Sequence, residues 1–332
     1  MNYSEIIQNI RSKSYHPVYF VYGEESYYID RIAEEFEKGI LEEAQKEFNL
    51  SIFYGGEVAI DLLITSLRRF PMAAEHQVVI LKEAQRMINF EKLSVYLENP
   101  QPSTLFLICY KAKSPDKRKT FTKLLLDKSI HCDSPKLYEN QIPAWINNYL
   151  GEKEFQIKPA ACALLTEYLG NDLMKITNEL GKLIINIEKG STITEELIEK
   201  YIGISRDYNV FELHNALGAR DHNKAFRIVN YFSANPKAGP FVLTIGAMYA
   251  YFSKIFNFHH LQDRSPRSIA QKLGVNPYFV KDYERGAANY PLEKTKEVMR
   301  LLSQYDLKSK GVNNASVNDG ELLKEMVYKI LN

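Results

Sequence analysis

The sequence predicts an α/β domain at the start of the chain and two all-α domains after it. In residues 1–138, near-continuous apolar runs alternate with segments of helical period. That alternation is typical of a mostly parallel sheet covered by helices on both faces. From residue 139 the period is helical throughout, and we divide this part into a small domain, 139–207, and a larger one, 208–332. A chain of 332 residues is long enough for three such domains.

Composition narrows the classes of function. The 42 Lys and Arg against 41 Asp and Glu leave a net charge of +1, so any nucleic-acid contact has to come from a local patch. The three cysteines form no CxxC pair, which argues against a disulfide framework or a zinc site. The histidines match no metal-ligand pattern, and no cofactor is expected. No apolar run approaches the ~20 residues of a membrane span, so we expect a cytoplasmic protein.

The first strand and helix have the arrangement of a nucleotide-binding domain without its chemistry. The apolar run VYFVY is followed by Gly23 and by a helix through residue 36, which is where a phosphate loop would lie. A phosphate loop needs Gly-Lys-Ser/Thr at its end. Counting from Gly23, those places hold Tyr28, Ile29 and Asp30, and two glutamates follow the glycine. The sequence therefore predicts a degenerate, non-functional phosphate loop.

The other elements follow in order. In the first domain we predict strands at 50–57, 77–81, 104–109 and 130–132, and helices at 58–69, 91–98 and in the basic segment before the last strand. In the second domain we predict helices at 142–150, 159–169, 172–188 and 192–201. In the third we predict helices at 211–219, 222–232, 240–261, 265–273, 277–289, 291–307 and 321–331.

A basic cluster flanks a predicted strand end of the first domain. Its members are Lys111, Lys113, Lys117, Arg118, Lys119 and Lys123. A run of charge is usually a solvated face, but at this place it is also a candidate for contacts to a phosphate backbone. We single out Lys113, Lys117, Arg118 and Lys119 as possible DNA-backbone contacts.

Phe70, Pro71 and Met72 interrupt the helix predicted to precede the third strand. A loop at such a junction should be polar and lie at the surface. Either the two large apolar side chains turn inward as loop anchors, or they form an exposed apolar tip that inserts into a partner's pocket. The residues alone leave both interpretations open.

Residues 268–283 resemble a helix-turn-helix. The pattern is carried by Ala270, Gly274, Val275 and Val280. The side chains available for base edges, Asn276, Tyr278 and Lys281, are few, and Asp282 and Glu284 would oppose phosphate. Two packed helices are favoured over a DNA-reading motif.

Seven segments together resemble the delta subunits of bacterial DNA polymerase III clamp loaders, over nearly the whole chain. They are VYFVYGEESYYID, FPMAAEHQVVIL, PQPSTLFLIC, KSPDKRKTFTKLL, NDLMKITNELGKLI, DYNVFELHNAL and YDLKSKG. No one of these motifs is diagnostic alone. Their order and spacing over three domains carry the resemblance.

The resemblance implies a fold and a set of partners. The fold would be an AAA+-like α/β domain with a degenerate phosphate loop, a small lid-like helical domain and a helical collar domain for oligomerisation. The protein would have no active site or cofactor of its own. It would bind the sliding clamp and open it for loading onto primed DNA, beside the ATPase and other loader subunits of the DNA polymerase III holoenzyme, and without a membrane.

The resemblance also implies a clamp-binding tip at Phe70, Pro71 and Met72, with Leu67 before it. Relatives often carry two large apolar residues at this tip. Here Pro71-Met72 stand in their place, which leaves Phe70 and Met72 as the apolar wedge.

Two other functions stay open on the residues. One is a DNA-binding regulator that uses residues 268–283. The other is a nucleotide-dependent enzyme with an atypical phosphate site.

Overall fold

The structure is a computed structural model that describes residues 1–205, 207–275, 277–312 and 317–332. The chain forms two compact units, Met1–Leu137 and Tyr138–Asn332. The further division of the second unit at residues 207 and 208 stays a prediction.

A five-stranded parallel sheet forms the centre of the first unit, as predicted. Its strand order is β2-β3-β4-β1-β5, and every neighbouring pair is parallel. The bounds are β1 Val18–Gly23, β2 Leu50–Tyr54, β3 Gln77–Lys82, β4 Thr104–Lys111 and β5 Ile130–Ser134. All six residues of β1 are buried, because helices cover both faces of the sheet.

Six helices surround this sheet. They are α1 Tyr3–Arg11, α2 Ser26–Gly39, α3 Glu43–Asn49, α4 Ile60–Leu67, α5 Ser94–Leu97 and α6 Thr120–Lys128. Alternate residues of each strand point to opposite faces, so β1 serves two cores. Tyr19 and Val21 pack with α1 and α2, whereas Val18, Phe20 and Tyr22 pack with α4, α5 and α6.

Three details of the first unit differ from the prediction. Helix α3 was not predicted. The helix expected at 91–98 begins as a 3-10 turn, Phe90–Leu93, and continues as the short α5. The basic segment is a loop up to residue 119, and only α6 is helical. Pro115 disfavours helical geometry at the residue before it, and after it the Asp116 side chain accepts from the Arg118 amide at 3.1 Å in a local turn that competes with a helix.

The second unit is almost entirely helical. Its helices are α7 Ile142–Gly151, α8 Pro159–Leu169, α9 Leu173–Ile185, α10 Glu195–Ile202, α11 Val210–Gly218, α12 His222–Ala234, α13 Phe241–His259, α14 Pro266–Leu273, α15 Val280–Asn289, α16 Leu292–Ser309 and α17 Asp319–Leu331. The segment 139–207 is not purely α. Strand β6 Gln156–Ile157 pairs in parallel with β7 Thr192–Ile193, so α10 begins after Thr194 and not at Thr192.

Helix α13 lies at the centre of the largest core. It packs against α11, α14, α15, α16 and α17, and its inward face includes Ile245, Met248, Phe252 and Ile255. Within the described part of the chain, α13 is the single helix long and apolar enough to cross a membrane, with 44% of that stretch buried in the protein. The sequence expectation that no run approaches this length is thus corrected. The central helix of a protein core can be equally long and apolar.

Candidate functional site

Protein atoms fill the turn after β1, where a nucleotide-binding domain would hold phosphate. Gly23 has φ +140°, and a Cβ there would lie 2.2 Å from the backbone oxygen of Ser134. The amide of Glu25 donates to that same oxygen at 2.9 Å, and the Ser134 hydroxyl donates to the Glu25 carbonyl at 2.6 Å. The Glu25 carboxylate accepts from the Tyr27 amide at 3.0 Å, so it takes the place of an anion at the start of α2.

The three residues in the places of Gly-Lys-Ser/Thr each have a structural role. Ile29 is buried in the core between the sheet and α1 and α2. Tyr28 packs its ring against Tyr3 of α1, with ring centroids 5.0 Å apart. Asp30 forms an ion pair with Lys111 at the end of β4. None of the three provides the lysine or the Ser/Thr hydroxyl that phosphate binding needs.

Phe70 and Met72 form an exposed apolar tip between α4 and β3. Their exposed fractions are 77% and 54%, and Pro71 between them is half-buried. The alternative in which both side chains turn inward is therefore excluded. Leu67, predicted to contact the clamp, is fully buried at the end of α4 and packs in the core of that face of the sheet. Leu67 cannot contact a partner, and that assignment is wrong.

Buried side chains fix the helix end that precedes the tip. The Gln77 amide donates to the Ser66 carbonyl at 2.7 Å and to the Thr104 hydroxyl at 3.1 Å. The Thr104 hydroxyl donates in turn to the Leu67 carbonyl at 3.0 Å. These bonds satisfy carbonyls that the end of α4 leaves without helical partners, and they tie that end to the starts of β3 and β4.

The other side of the tip is held from α3. The Asn49 amide donates to the Met72 carbonyl at 2.9 Å, and its oxygen accepts from the Met72 amide at 2.7 Å. One turn earlier, Gln45 donates to the Ala73 carbonyl at 3.2 Å. Sequence reasoning missed both residues, because the contacts span 23 and 28 positions and no local motif marks them.

The basic loop, residues 112–119 between β4 and α6, lies beside the turn after β1. The backbone of Lys113 forms a bridge with Gly23. Lys113, Lys117, Arg118 and Lys119 are all exposed. Arg118 donates to both oxygens of Asp116, at 2.9 and 3.0 Å, and these bonds lower the pKa of that carboxyl. Lys117 lies 3.4 Å from Asp133.

The tip and the basic loop lie at opposite ends of the parallel strands. The tip precedes β3 and so stands at the amino ends of the parallel strands, whereas the loop follows β4 at their carboxyl ends. A strand of six residues is about 20 Å long, and this length separates the two ends of the sheet's strands. Open α/β sheets usually bind their ligands at the carboxyl ends of the strands, which is the end where the basic loop lies.

The helix-turn-helix-like segment is part of the core of the second unit. Ile269, Leu273 and Val280 are buried, and α15 packs against both α11 and α13. Asn276 and the side chain of Tyr278 lie outside the described residues. The apolar face of α15 is packed inside the protein, as expected for two packed helices.

Neither a metal-binding cluster nor a disulfide is present in the part of the chain that the structure describes. No group of three His, Cys, Asp or Glu side chains is arranged to hold a metal ion there. All three cysteines are buried and unpaired. Burial raises the pKa of Cys109 to about 12 and that of Cys162 to about 11, so neither is a thiolate near neutral pH.

Comparison with known proteins decides the family. The family model described as "DNA polymerase III, delta subunit" matches residues 19–133, and a second model, for the C-terminal domain of that delta subunit, matches residues 207–326. Together they cover more than two thirds of the chain. The chain belongs to the DNA polymerase III delta subunit family.

A curated member of this family and a solved structure are similar over the full length. The DNA polymerase III subunit delta of Bacillus subtilis is 23% identical over 333 residues, which cover 97% of this chain and 94% of that protein. The structure of the Bacillus subtilis DNA clamp loader delta protein has a TM-score of 0.62 at 22% identity and covers 99% of both chains. The second similarity shows the fold, and the predicted fold class is confirmed.

Proposed function

We propose that this delta subunit binds the sliding clamp through Phe70, Pro71 and Met72 and holds one clamp interface open while the ring is loaded onto primed DNA. It would do so in the cytoplasm. The observation that carries the proposal is the tip itself. Two large apolar side chains, 77% and 54% exposed, stand on a backbone that is hydrogen-bonded on both sides. Such a feature fits an anchor for a partner's pocket.

The mechanism we propose is differential binding. A ligand that prefers the open ring shifts the clamp toward opening by as much as its preference for that state. Burying an apolar side chain of this size supplies about 1.5–3 kcal/mol. Micromolar affinity corresponds to about 8 kcal/mol, so the two anchors would supply part of it and a polar rim around them the rest.

The protein would use no nucleotide of its own. Glu25 supplies the anion at the start of α2, and Ser134 closes the space beside Gly23. Neighbouring ATPase subunits of the loader would bind and hydrolyse ATP. This division of labour accounts for a domain that keeps the sheet and loses the phosphate loop.

The basic loop would contact the DNA backbone in the assembled loader. Arg118 is 91% exposed, so its ion pair with Asp116 is a surface pair of low net energy. Such a pair can exchange its carboxylate for a phosphate. Because the basic loop and the tip lie at opposite ends of the parallel strands, we expect DNA contact and clamp contact to be independent.

The helical segment 208–332 would join the collar of the oligomer. Its support is an apolar outer face on α13, where Val242, Leu243 and Tyr249 are 56%, 68% and 47% exposed. The ATPase and other loader subunits are the partners that the family implies for this face.

A recovery experiment with the intact protein tests the proposal. Tagged protein should recover a sliding clamp and clamp-loader ATPases from native cytosol, and the purified subunit should bind purified clamp but no ATP. Recovery of neither partner, with no binding to purified clamp, would reject the assignment. Saturable ATP binding by the isolated chain would favour the nucleotide-dependent enzyme, and a sequence-specific DNA complex would favour the regulator.

A further inference from the structure

Asn49, at the last position of α3, makes a two-point hydrogen bond with the backbone of Met72. We propose that Asn49 is a positioning residue that sets the tip in its binding geometry before the clamp arrives. This inference rests on the proposed function, since it concerns the same surface. Asn49 does not touch the partner, because only 2% of it is exposed.

The contact has the form of a short piece of sheet. The carboxamide of Asn49 donates to the Met72 carbonyl at 2.9 Å and accepts from the Met72 amide at 2.7 Å, as a peptide unit of a neighbouring strand would. A third bond, from the same amide to the Gln45 carbonyl at 3.0 Å, fixes the side chain to α3. The donors and acceptor of the side chain are thus satisfied within a buried site.

The segment between α4 and β3 needs such support. It has no regular secondary structure, and Ala73 has φ +52°, a left-handed conformation that is costly for a residue with a Cβ. The Gln45 side chain holds the carbonyl of this same residue. The hydrogen bonds from α3 therefore hold in place a backbone that would otherwise sample other conformations.

Ordering the backbone in advance raises affinity. A loop that is already in its bound geometry loses less conformational entropy on binding than a mobile loop. With both main-chain groups of Met72 held inward by Asn49, its side chain remains 54% exposed. Loss of Asn49 should therefore weaken clamp binding although every residue at the contact is unchanged.

The side-chain chemistry of asparagine is specific to this role. Aspartate keeps the volume and can still accept from the Met72 amide, but it has no N–H to donate. A carboxylate at this position would face the carbonyls of Met72 and Gln45, which the amide now contacts. Alanine removes all three bonds and leaves a small cavity. The pair Asn49→Ala and Asn49→Asp thus separates loss of volume from loss of the donor.

The test is a double-mutant cycle on the full-length protein with purified clamp. We expect Asn49→Ala and Asn49→Asp each to weaken binding about tenfold, which corresponds to about 1.4 kcal/mol. In the Phe70→Ala, Met72→Ala background the same changes should add less than about twofold, because Asn49 acts only through the tip. Amide exchange at Met72 should become faster in both variants. The matched control is Ser129→Ala, which removes a buried 2.6 Å bond to the Leu125 carbonyl and should leave binding unchanged.

The outcomes separate this inference from the proposed function. If the Phe70→Ala, Met72→Ala variant binds the clamp like the wild type, the proposed function fails. If that variant loses binding but both Asn49 variants bind normally, only the positioning role fails. It also fails if Asn49→Asp, with melting within a few degrees of the wild type, weakens binding equally in both backgrounds. If Asn49→Ala does not fold, the Asn49→Asp variant decides by the same comparison.

Discussion

Replacing Phe70 and Met72 together by alanine should lower the affinity for the sliding clamp and leave the protein folded. A fully buried side chain of this kind contributes about 1.5–3 kcal/mol. Scaled by exposed fractions of 77% and 54%, the two side chains can contribute together about 2–4 kcal/mol when a partner covers them. That range corresponds to about 30- to 700-fold in affinity. Ordering costs reduce it, and we expect at least a tenfold loss.

The same fractions predict a small effect on the free protein. Only the covered remainder of each side chain stabilises the fold, so truncation should lower the free energy of unfolding by no more than about 2 kcal/mol. Leu67→Ala is the matched control, because Leu67 ends the helix before the tip and is fully buried. It should lower the free energy of unfolding by about 2–5 kcal/mol and leave the clamp affinity of the folded protein unchanged.

Two measurements on each variant decide the matter. Thermal unfolding of the free protein reports stability, and equilibrium titration with purified clamp reports affinity. A large drop in melting temperature together with unchanged clamp affinity in the Phe70→Ala, Met72→Ala variant would refute the reasoning. The tip would then be a structural anchor in spite of its exposure.

Three further predictions follow from other parts of the molecule. Replacing Lys117, Arg118 and Lys119 together by alanine should weaken DNA binding by the assembled loader and reduce the salt dependence of that binding. Clamp binding by the free protein should not change. An unchanged dependence of DNA affinity on salt would show that these residues are solvated and do not contact DNA. Gly23→Ala should lower the melting temperature sharply, because φ is +140° and the new Cβ would lie 2.2 Å from a backbone oxygen; melting like the wild type would contradict the tight turn. Burial lowers the pKa of His214 to about 3 from a usual 6.5, so the unfolded chain takes up the proton first and stability should fall as pH drops from 6.5 toward 3, by up to about 1.4 kcal/mol per pH unit. Chemical unfolding from pH 7 to 4 should show a shallower decline for His214→Phe, and an equal slope would show that another group titrates.

The period of the apolar residues was enough to predict most of the fold. It located all five strands of the large sheet and the helical second unit, because burial on two faces of a sheet or on one face of a helix leaves a local repeat. It failed where local signals compete. The basic segment reads as a helix until Pro115 is considered, and Thr192 reads as a helix cap although it pairs with the strand at residue 156.

The candidate site was also predicted only in part from the sequence. The sequence by itself determined which chemistry is absent: Tyr28, Ile29 and Asp30 cannot replace Gly-Lys-Ser/Thr in any fold. It also placed two large apolar residues at a junction where a loop should be polar. Only the tertiary structure shows that Phe70 and Met72 point outward and that Leu67 points inward. It alone also shows which residues hold the backbone of the tip. The physical reason is distance along the chain: Asn49 reaches Met72 across 23 positions, and no periodic signal records a contact between a helix end and a distant loop.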